Sequence, residues 1–229
     1  MKRQIILDTE TTGLDPALGH RVIEIGCLEI INRRVTGVTY HVYLNPDREI
    51  DAGAVAVHGI TSEFLADKPR FAEVASEFVE FVRDAELVIH NASFDMGFLN
   101  AELKRLDDGP LQRYCEVLDT LKMARELHPG QKNNLDALCK RYQVDNTGRS
   151  FHGALLDVQL LGEVYLAMTR GQETLGIDMN ETPQDGLNVL AMPVRHGKLK
   201  VIQAQTDELS AHAQYLSGLQ KECGEVIAW

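Results

Sequence analysis

The chain has 229 residues, enough for one sizeable core plus an appendage, and its 44% hydrophobic and 25% charged content is typical of a soluble globular protein. Only three apolar residues precede the first acid, and no apolar run is long enough to cross a membrane, which excludes a signal peptide and a membrane span and predicts a cytoplasmic protein. A net charge of −11 at pH 7 excludes a basic nucleic-acid-binding module, because phosphate contacts normally come from Lys and Arg.

The first part of the chain alternates apolar stretches with polar turns. Residues 5–7 (Ile-Ile-Leu) are typical of the end of a buried strand, and residues 21–31 and 39–44 predict two further strands of a meander. A short helix is predicted over residues 60–65, opened by the His-Gly pair before it. Apolar side chains at helical spacing then predict an amphipathic helix over residues 71–83 that packs on the sheet.

From residue 87 onward, short apolar stretches alternate with helical patterns. Residues 87–90 predict a second short buried strand, and residues 117–118 form a third apolar stretch that ends in an acid. Helices are predicted over residues 94–105, 120–128, 135–142 and 154–168. Strands that first form a meander and then alternate with helices predict an α/β sandwich with a mixed sheet.

The sequence changes character after Gly171. Residues 1–170 are predicted to form the main domain, residues 171–193 have the composition of a flexible linker, and residues 194–229 form a small C-terminal tail. Within the tail, residues 198–204 and 226–229 resemble strands, and residues 206–222 resemble an amphipathic helix. Because the tail is too small to bury a core alone, we expect it to fold against a partner.

Both parts of the chain are acidic. Residues 1–170 contain 19 basic and 26 acidic residues, and residues 171–229 contain 4 basic and 8 acidic residues. Action on DNA or RNA would therefore need metal ions for charge compensation, or a partner that grips the duplex. The four cysteines are scattered without a Cys-x-x-Cys pair, which argues against a zinc site and suits reduced thiols.

Four carboxylates occupy positions where apolar elements end or begin. Asp8 and Glu10 follow the first strand, and residues i and i+2 of an extended chain point to the same side. Two like charges held together there become tolerable if a divalent cation lies between them, and oxygen ligands suit Mg²⁺ or Mn²⁺. Asp95 follows the fourth strand, and Asp157 lies in the first turns of the last long helix, with His152 just before that helix.

Each of these residues also has a purely structural explanation. The Asp-x-Glu pair could be solvated acids at a strand end, Asp95 could be a helix-start acid favoured by the macrodipole, and His152 could be a surface histidine. Together, however, they are the groups needed for two-metal phosphodiester hydrolysis, in which bound ions acidify a water and stabilise charge on the phosphate. A histidine with an intrinsic pKa near ~6.5 can take the proton of that water near neutral pH.

Three motifs carry a resemblance to a known family, namely Asp8-x-Glu10-Thr11-Thr12-Gly13, Asn91-x-x-Phe94-Asp95 and His152-x-Ala154-x-x-Asp157. Their order and spacing over residues 4–168 resemble the DEDDh 3′–5′ exonucleases, a branch of the ribonuclease H-like superfamily. The connecting sequence further resembles the members of this family that proofread for bacterial replicative DNA polymerases. The resemblance implies a five-stranded mixed sheet of ribonuclease H-like type, flanked by helices, and removal of nucleotides from a single-stranded or frayed DNA 3′ end.

The resemblance also implies roles for individual residues. Asp8, Glu10, Asp95 and Asp157 would hold two Mg²⁺ or Mn²⁺ ions, with Asp8 bridging them, and His152 would be the general base. The pocket for the terminal nucleotide would be formed by Thr11, Leu14, Val57, His58, Asn91 and Phe94, although Phe94 could equally belong to the core.

The resemblance extends to protein partners. Residues 172–177 resemble the short peptide by which replication proteins bind the sliding clamp, with Gln172, Leu175 and Ile177 as anchors. This peptide departs from the usual pattern at its last position, which favours an aromatic residue. The C-terminal tail would dock on the catalytic subunit of a replicative polymerase and gain its order there.

Two other functions compete with proofreading. A free-standing DEDDh nuclease that trims RNA 3′ ends or acts in DNA repair would have little use for residues 171–229, and it would need its own phosphate-binding patch. A catalytically inactive binding module would be expected to lack one or more of the five site residues, and this sequence retains them all.

Overall fold

The structure is a computed structural model that describes residues 2–148, 151–170 and 205–223, the side chains of residues 219–223 excepted. The described residues up to 170 belong to one compact unit, and those from 205 onward belong to a second. The predicted linker, the strands predicted over residues 198–204 and 226–229, and the clamp-binding anchors Gln172, Leu175 and Ile177 lie outside the described residues.

A five-stranded mixed sheet forms the centre of the first unit. Its strands are β1 (Arg3–Thr11), β2 (Val22–Ile31), β3 (Arg34–Tyr43), β4 (Glu86–Ile89) and β5 (Glu116–Asp119), in the order β3-β2-β1-β4-β5. The first three strands form an antiparallel meander, whereas β4 pairs parallel to β1 and β5 pairs parallel to β4. The predicted mixed sheet is confirmed.

Seven α-helices of the first unit connect or cover these strands. They are α1 (Ala52–His58), α2 (Ser62–Leu65), α3 (Phe71–Val82), α4 (Ala92–Lys104), α5 (Thr120–Leu127), α6 (Leu135–Tyr142) and α7 (Ala154–Met168). Short 3-10 helices occur at Pro16–Leu18 and Leu111–Arg113. The second unit contains α8 (Thr206–Cys223). Helix α1 was not predicted from the sequence.

The two faces of β1 are covered by different helices. Ile5 and Leu7 pack in a core that includes residues of α3 and α4, whereas Ile6 packs in a core that includes residues of α6 and α7. Because side chains alternate along a strand, the even-numbered residues that follow, Asp8 and Glu10, project on the α7 face. This alternation places the two acids of the first motif on the face where α7 begins.

None of the described helices combines the length and the apolar character needed to span a bilayer. Cys27, Cys115 and Cys139 are buried, and no disulfide joins them.

Candidate active site

The carboxyl-terminal ends of β1 and β4 meet the starts of α4 and α7 around one pocket of about 360 Å³. This pocket, called here the acidic pocket, is lined by the five predicted site residues, Asp8, Glu10, Asp95, His152 and Asp157. Parallel strands bring their carboxyl ends to the same edge of a sheet, which is why acids far apart in the sequence lie together.

Among the acids that line the acidic pocket, Asp95 is the least exposed to water. It lies in the first turn of α4, where its carboxylate is 3% exposed and its Oδ1 accepts hydrogen bonds from Thr9 N (3.0 Å) and Thr9 Oγ1 (2.8 Å). Burial raises the pKa of Asp95 to about 7, although the hydrogen bonds from Thr9 oppose the shift. Thr9 therefore orients Asp95, and burial makes its negative charge costly unless a cation compensates it.

Glu10, His152 and Asp157 form a tight group. Each offers one potential ligand atom, and the three atoms lie within 4.8 Å of one another. His152 Nδ1 lies 3.8 Å from Asp157 Oδ2, and the His152 side chain is half-exposed whereas Asp157 is buried. Two carboxylate oxygens and an imidazole nitrogen at this spacing can hold a divalent cation or exchange a proton.

The segment that carries His152 is fixed by contacts to the end of α1. His152 N donates to Val57 O over 3.1 Å, and the Phe151 ring lies against Gly59. Gly59 ends α1 with a left-handed φ of 72°, and a Cβ there would come within 3.3 Å of the Phe151 ring. Glycine thus satisfies both the backbone turn and the close packing that places the histidine at the pocket.

A second pocket of about 440 Å³, called here the nucleotide pocket, shares Glu10 and Phe94 with the acidic pocket. Thr11, Leu14, Val57, His58 and Phe94, five of the six residues predicted to take the terminal nucleotide, line it. The sixth, Asn91, lies in the acidic pocket. Leu14 is 84% exposed, so the nucleotide pocket presents an apolar side chain to solvent at its rim.

His20 links the loop after β1 to the start of α1, and both of these segments line the nucleotide pocket. The His20 ring packs so closely on Gly13 that a Cβ at that position would lie 2.3 Å from it. His20 Nδ1 is hydrogen-bonded to Thr12 Oγ1 at 3.1 Å, and His20 Nε2 lies 3.5 Å from Asp51 Oδ2 at the start of α1. These contacts hold the loop after β1 against α1.

His58 contributes a neutral imidazole to the nucleotide pocket. Its Nδ1 accepts a hydrogen bond from Ile60 N (3.0 Å), which assigns the proton of the neutral ring to Nε2. Burial lowers the pKa of His58, so the ring carries no charge near neutral pH.

Among the residues of the acidic pocket that were not predicted from the sequence are the polar residues His90, Asn134 and Asp136. His90 directly follows β4, its Nδ1 is hydrogen-bonded to Thr120 Oγ1 at 3.0 Å, and burial lowers its pKa. Asn134 caps α6 and Asp136 lies in the first turn of that helix. In the sequence, each of them is only a polar residue near the end of a strand or helix, and many surface residues occupy such positions.

Comparison with known proteins identifies the family to which the chain belongs. Residues 5–165 match the exonuclease family model RNase T. The DNA polymerase III subunit epsilon of Escherichia coli (strain K12) is 50% identical, with 98% of this chain and 96% of that protein covered. The corresponding subunit of Haemophilus influenzae is 46% identical, with 99% and 94% covered.

Solved structures share the fold. Exonuclease X in complex with 5′ overhanging duplex DNA is 29% identical with a TM-score of 0.60, and the match covers 74% of this chain and 92% of that chain. Escherichia coli exonuclease I in complex with a dA16 oligonucleotide is 22% identical with a TM-score of 0.66, over 75% of this chain and 42% of that chain. The chain therefore belongs to the exonuclease family and, within it, to the DNA polymerase III epsilon subunits, which are 3′–5′ exonucleases.

Proposed function

We propose that this 3′–5′ exonuclease hydrolyses the terminal phosphodiester of DNA with two divalent ions, Mg²⁺ or Mn²⁺, held by Asp8, Glu10, Asp95 and Asp157. One observation carries the proposal: four carboxylates from three separate parts of the chain line one pocket beside a second pocket large enough for a nucleotide. Gathering four acids without cations would be destabilising, because like charges repel most where burial excludes water.

The donor set fits hard divalent cations. Carboxylate oxygens are the ligands that Mg²⁺ and Mn²⁺ prefer, and the buried Asp95 is held by Thr9 in one orientation. When bound, two such ions supply an acidified water and positive charge opposite the reacting phosphate. The protein supplies the remaining chemistry through its own side chains.

We assign proton removal to the His152 imidazole, whose Nδ1 faces the Asp157 carboxylate at 3.8 Å. This carboxylate stabilises the protonated ring once the proton has been taken from the attacking water. His152 is half-exposed, so the proton can pass from the ring to solvent after the reaction. Because these ions prefer oxygen ligands, we assign the imidazole to proton transfer and not to metal binding.

The nucleotide pocket is the proposed site of the terminal base and sugar. Leu14, Val57 and Phe94 provide apolar surface against which a base can stack, and Thr11 and His58 provide polar groups. Glu10 lines both pockets, so a nucleotide in one places its phosphate beside the carboxylates of the other.

The comparisons support partners for this activity. The Escherichia coli relative is named as a subunit of DNA polymerase III and aligns over 98% of this chain, which supports binding of residues 194–229 to a polymerase catalytic subunit. Exonuclease X is seen with duplex DNA, which supports DNA as the substrate. The bacterial relatives favour action in the cytoplasm. Contact of residues 172–177 with a sliding clamp remains a proposal from the sequence.

The test is hydrolysis of a primer–template with a mismatched 3′ end, with and without Mg²⁺, by the double variant Asp8→Ala, Glu10→Ala. We expect loss of Mg²⁺-dependent hydrolysis and a fold as stable as the wild type in the metal-free state, since both changes relieve repulsion. Glu126→Ala, which removes an exposed acid of α5, is the control. Wild-type activity in the double variant would reject the metal site.

A further inference from the structure

Glu24 is a buried carboxylate of β2 that the proposed reaction does not use. Its side chain is 2% exposed, and the strand register places it directly opposite Glu10, on the face covered by α7. Like charges opposite each other on neighbouring strands are destabilising. The position of Glu24 therefore costs stability beside a pocket that five other acids already line.

Two hydrogen bonds join the carboxylate of Glu24 to different parts of the chain. Its Oε1 accepts a hydrogen bond from His41 Nε2 of β3 at 2.7 Å. Its Oε2 accepts a hydrogen bond from Ala154 N, the first residue of α7, at 3.2 Å. Glu24 thus links an edge strand of the sheet to the start of the helix that carries Asp157.

The start of α7 needs such an acceptor. The first N–H groups of a helix lack intrahelical partners, and Gly153 at the N-cap position has no side chain that could accept from them. A carboxylate at this end also interacts favourably with the helix dipole. Glu24 supplies from β2 the cap that the residue before the helix does not provide.

The start of α7 also packs directly against the backbone of Gly26, which has no side chain to keep it away. A Cβ at this position would lie 2.5 Å from the carbonyl carbon of Ala154 and 2.6 Å from its oxygen. Gly26 pairs with Asp8 in the register, two residues along from the pair formed by Glu24 and Glu10. The first turn of α7 is therefore seated on the part of β2 that faces the two acids of β1.

We propose that Glu24, oriented by His41, is a positioning residue that anchors the start of α7 on β2 and so sets Asp157 and His152 against Glu10. The inference rests on the proposed metal site and adds to it a residue that touches neither metal nor substrate. A displacement of about 1 Å at a reacting group can cost on the order of 100-fold in rate. Loss of the anchor should therefore lower kcat and weaken metal binding, while KM for the oligonucleotide stays near the wild-type value.

The test compares Glu24→Ala, Glu24→Gln and a matched control, Glu29→Ala. Glu29 is a second buried glutamate of β2 that also bonds a basic side chain, Arg3, at 2.7 Å. It pairs with Ile5, away from the acidic pocket. Each variant is measured for thermal unfolding, for Mn²⁺ affinity from the electron paramagnetic resonance signal of free Mn²⁺, and for kcat and KM well below its Tm.

We expect Glu24→Ala to lose roughly 10- to 100-fold in kcat and to bind Mn²⁺ more weakly, the range usual for residues that support metal ligands. Glu24→Gln should recover much of this loss, because its carbonyl can still accept from Ala154 N. Glu29→Ala should lose stability but retain the Mn²⁺ affinity and kcat of the wild type. Wild-type Mn²⁺ affinity and kcat in Glu24→Ala, or equal losses in Glu29→Ala, would overturn the inference.

Two further variants keep the result interpretable. If Glu24→Ala does not fold, Glu24→Asp retains the charge but withdraws the carboxylate from Ala154 by one methylene, and a wild-type kcat would then overturn the inference. Asp157→Asn tests the metal site itself. Unchanged Mn²⁺ binding in Asp157→Asn would reject the proposed function, whereas loss there with wild-type behaviour of Glu24→Ala would reject the positioning role alone.

Discussion

Asp95 is buried in the acidic pocket. Because of this burial, the ionisation of its carboxyl group depends on whether a cation is bound in the pocket. Its pKa is raised to about 7 in the metal-free protein, above the value of 3.8 for an exposed aspartate. The folded state therefore binds this proton more tightly than the unfolded state does. Protonation of Asp95 stabilises the fold at low pH, and this stabilisation is lost as the pH rises through the raised pKa.

This linkage predicts how Asp95→Asn behaves in EDTA. The variant stays neutral, so its Tm should exceed that of the wild type by a margin that grows as the pH rises from about 5 to about 8. Adding Mn²⁺ should raise the Tm of the wild type more than that of the variant, because the cation binds the ionised carboxylate. Thermal unfolding measured across this pH range checks both expectations, and a margin that does not change with pH would contradict them.

His152 can serve either as a base or as a ligand, since its ring lies within 4.8 Å of ligand atoms of both Glu10 and Asp157. The proposed role predicts that His152→Ala loses roughly 10²- to 10⁴-fold in kcat near neutral pH, because the attacking water loses its proton acceptor. Mn²⁺ affinity should stay near the wild-type value. Single-turnover hydrolysis and Mn²⁺ titration measure the two quantities.

His128→Ala is the matched control for this prediction, because His128 bonds Tyr142 and does not line the acidic pocket. A kcat within a few-fold of the wild type in His152→Ala would assign proton removal to another group. Joint loss of Mn²⁺ affinity and kcat would instead make the imidazole a metal ligand.

At the scale of elements, α7 is held at both ends by the β2–β3 meander. Asn32 and Arg33 form the turn of this hairpin with left-handed φ angles of 49° and 63°. From the turn, the Arg33 guanidinium donates to Thr169 Oγ1 (2.7 Å) and to Leu166 O (3.0 Å) at the C-terminal end of α7. A cation at this end satisfies a helix carbonyl and favours the helix dipole.

Arg33→Ala should therefore destabilise the protein by about 1 to 2 kcal/mol, since it removes hydrogen bonds from a charged donor that is partly exposed. Its kcat should be unchanged at temperatures where it is folded, because Asp157 lies near the other end of α7. Urea unfolding and a hydrolysis assay measure the two effects. Arg34→Ala, at the exposed neighbouring position, is the control, and equal destabilisation by both variants would contradict the capping role of Arg33.

The sequence predicted the elements whose apolar pattern is strong and missed the one whose pattern is weak. The helical spacing in residues 71–83 and the apolar strands gave nearly the observed bounds of α3, β2 and β4. Helix α1 consists of small and β-branched residues with little periodicity, so its pattern gave no signal. The sequence predicts that His58 and Gly59 open the next helix, but Gly59 is the left-handed end of α1, and Thr61 caps α2.

Strand pairing explains why other features could not be predicted. The apolar run of β1 ends at Leu7, yet the strand continues to Thr11 because β2 pairs with it in unbroken register as far as Glu10 and, after a register shift, at Thr11. The motifs identify acids at element ends, whereas the order of the strands decides which ends share an edge. The strand order brings His90 to the lining of the acidic pocket and places Glu24 beside it, and neither residue belongs to a motif.

At the scale of the whole molecule, the pocket residues and the tail belong to different units. The first unit contains every residue of the two pockets. Residues 1–170 and residues 171–229 each carry a net negative charge, so neither part is a basic module of the kind that usually binds DNA. In the second unit, Leu209 and Tyr215 of α8 are exposed to 57% and 66%. Single exposed apolar side chains are common on protein surfaces, so a variant is needed to test whether a partner covers these two.

Deletion of residues 172–229 should therefore preserve the nuclease activity of the protein and abolish its binding to the polymerase. The truncated chain should hydrolyse a mismatched 3′ end with the Mg²⁺ dependence and kcat of the full chain, because both pockets are intact. It should no longer co-elute with the polymerase catalytic subunit in gel filtration, since the proposed docking segment is absent. A double variant of the full chain, Leu209→Asp with Tyr215→Asp, tests whether α8 forms that contact, because charged residues on an apolar interface disrupt it. Continued co-elution of the truncated chain would place the polymerase contact on the exonuclease domain, and the tail would then need another explanation.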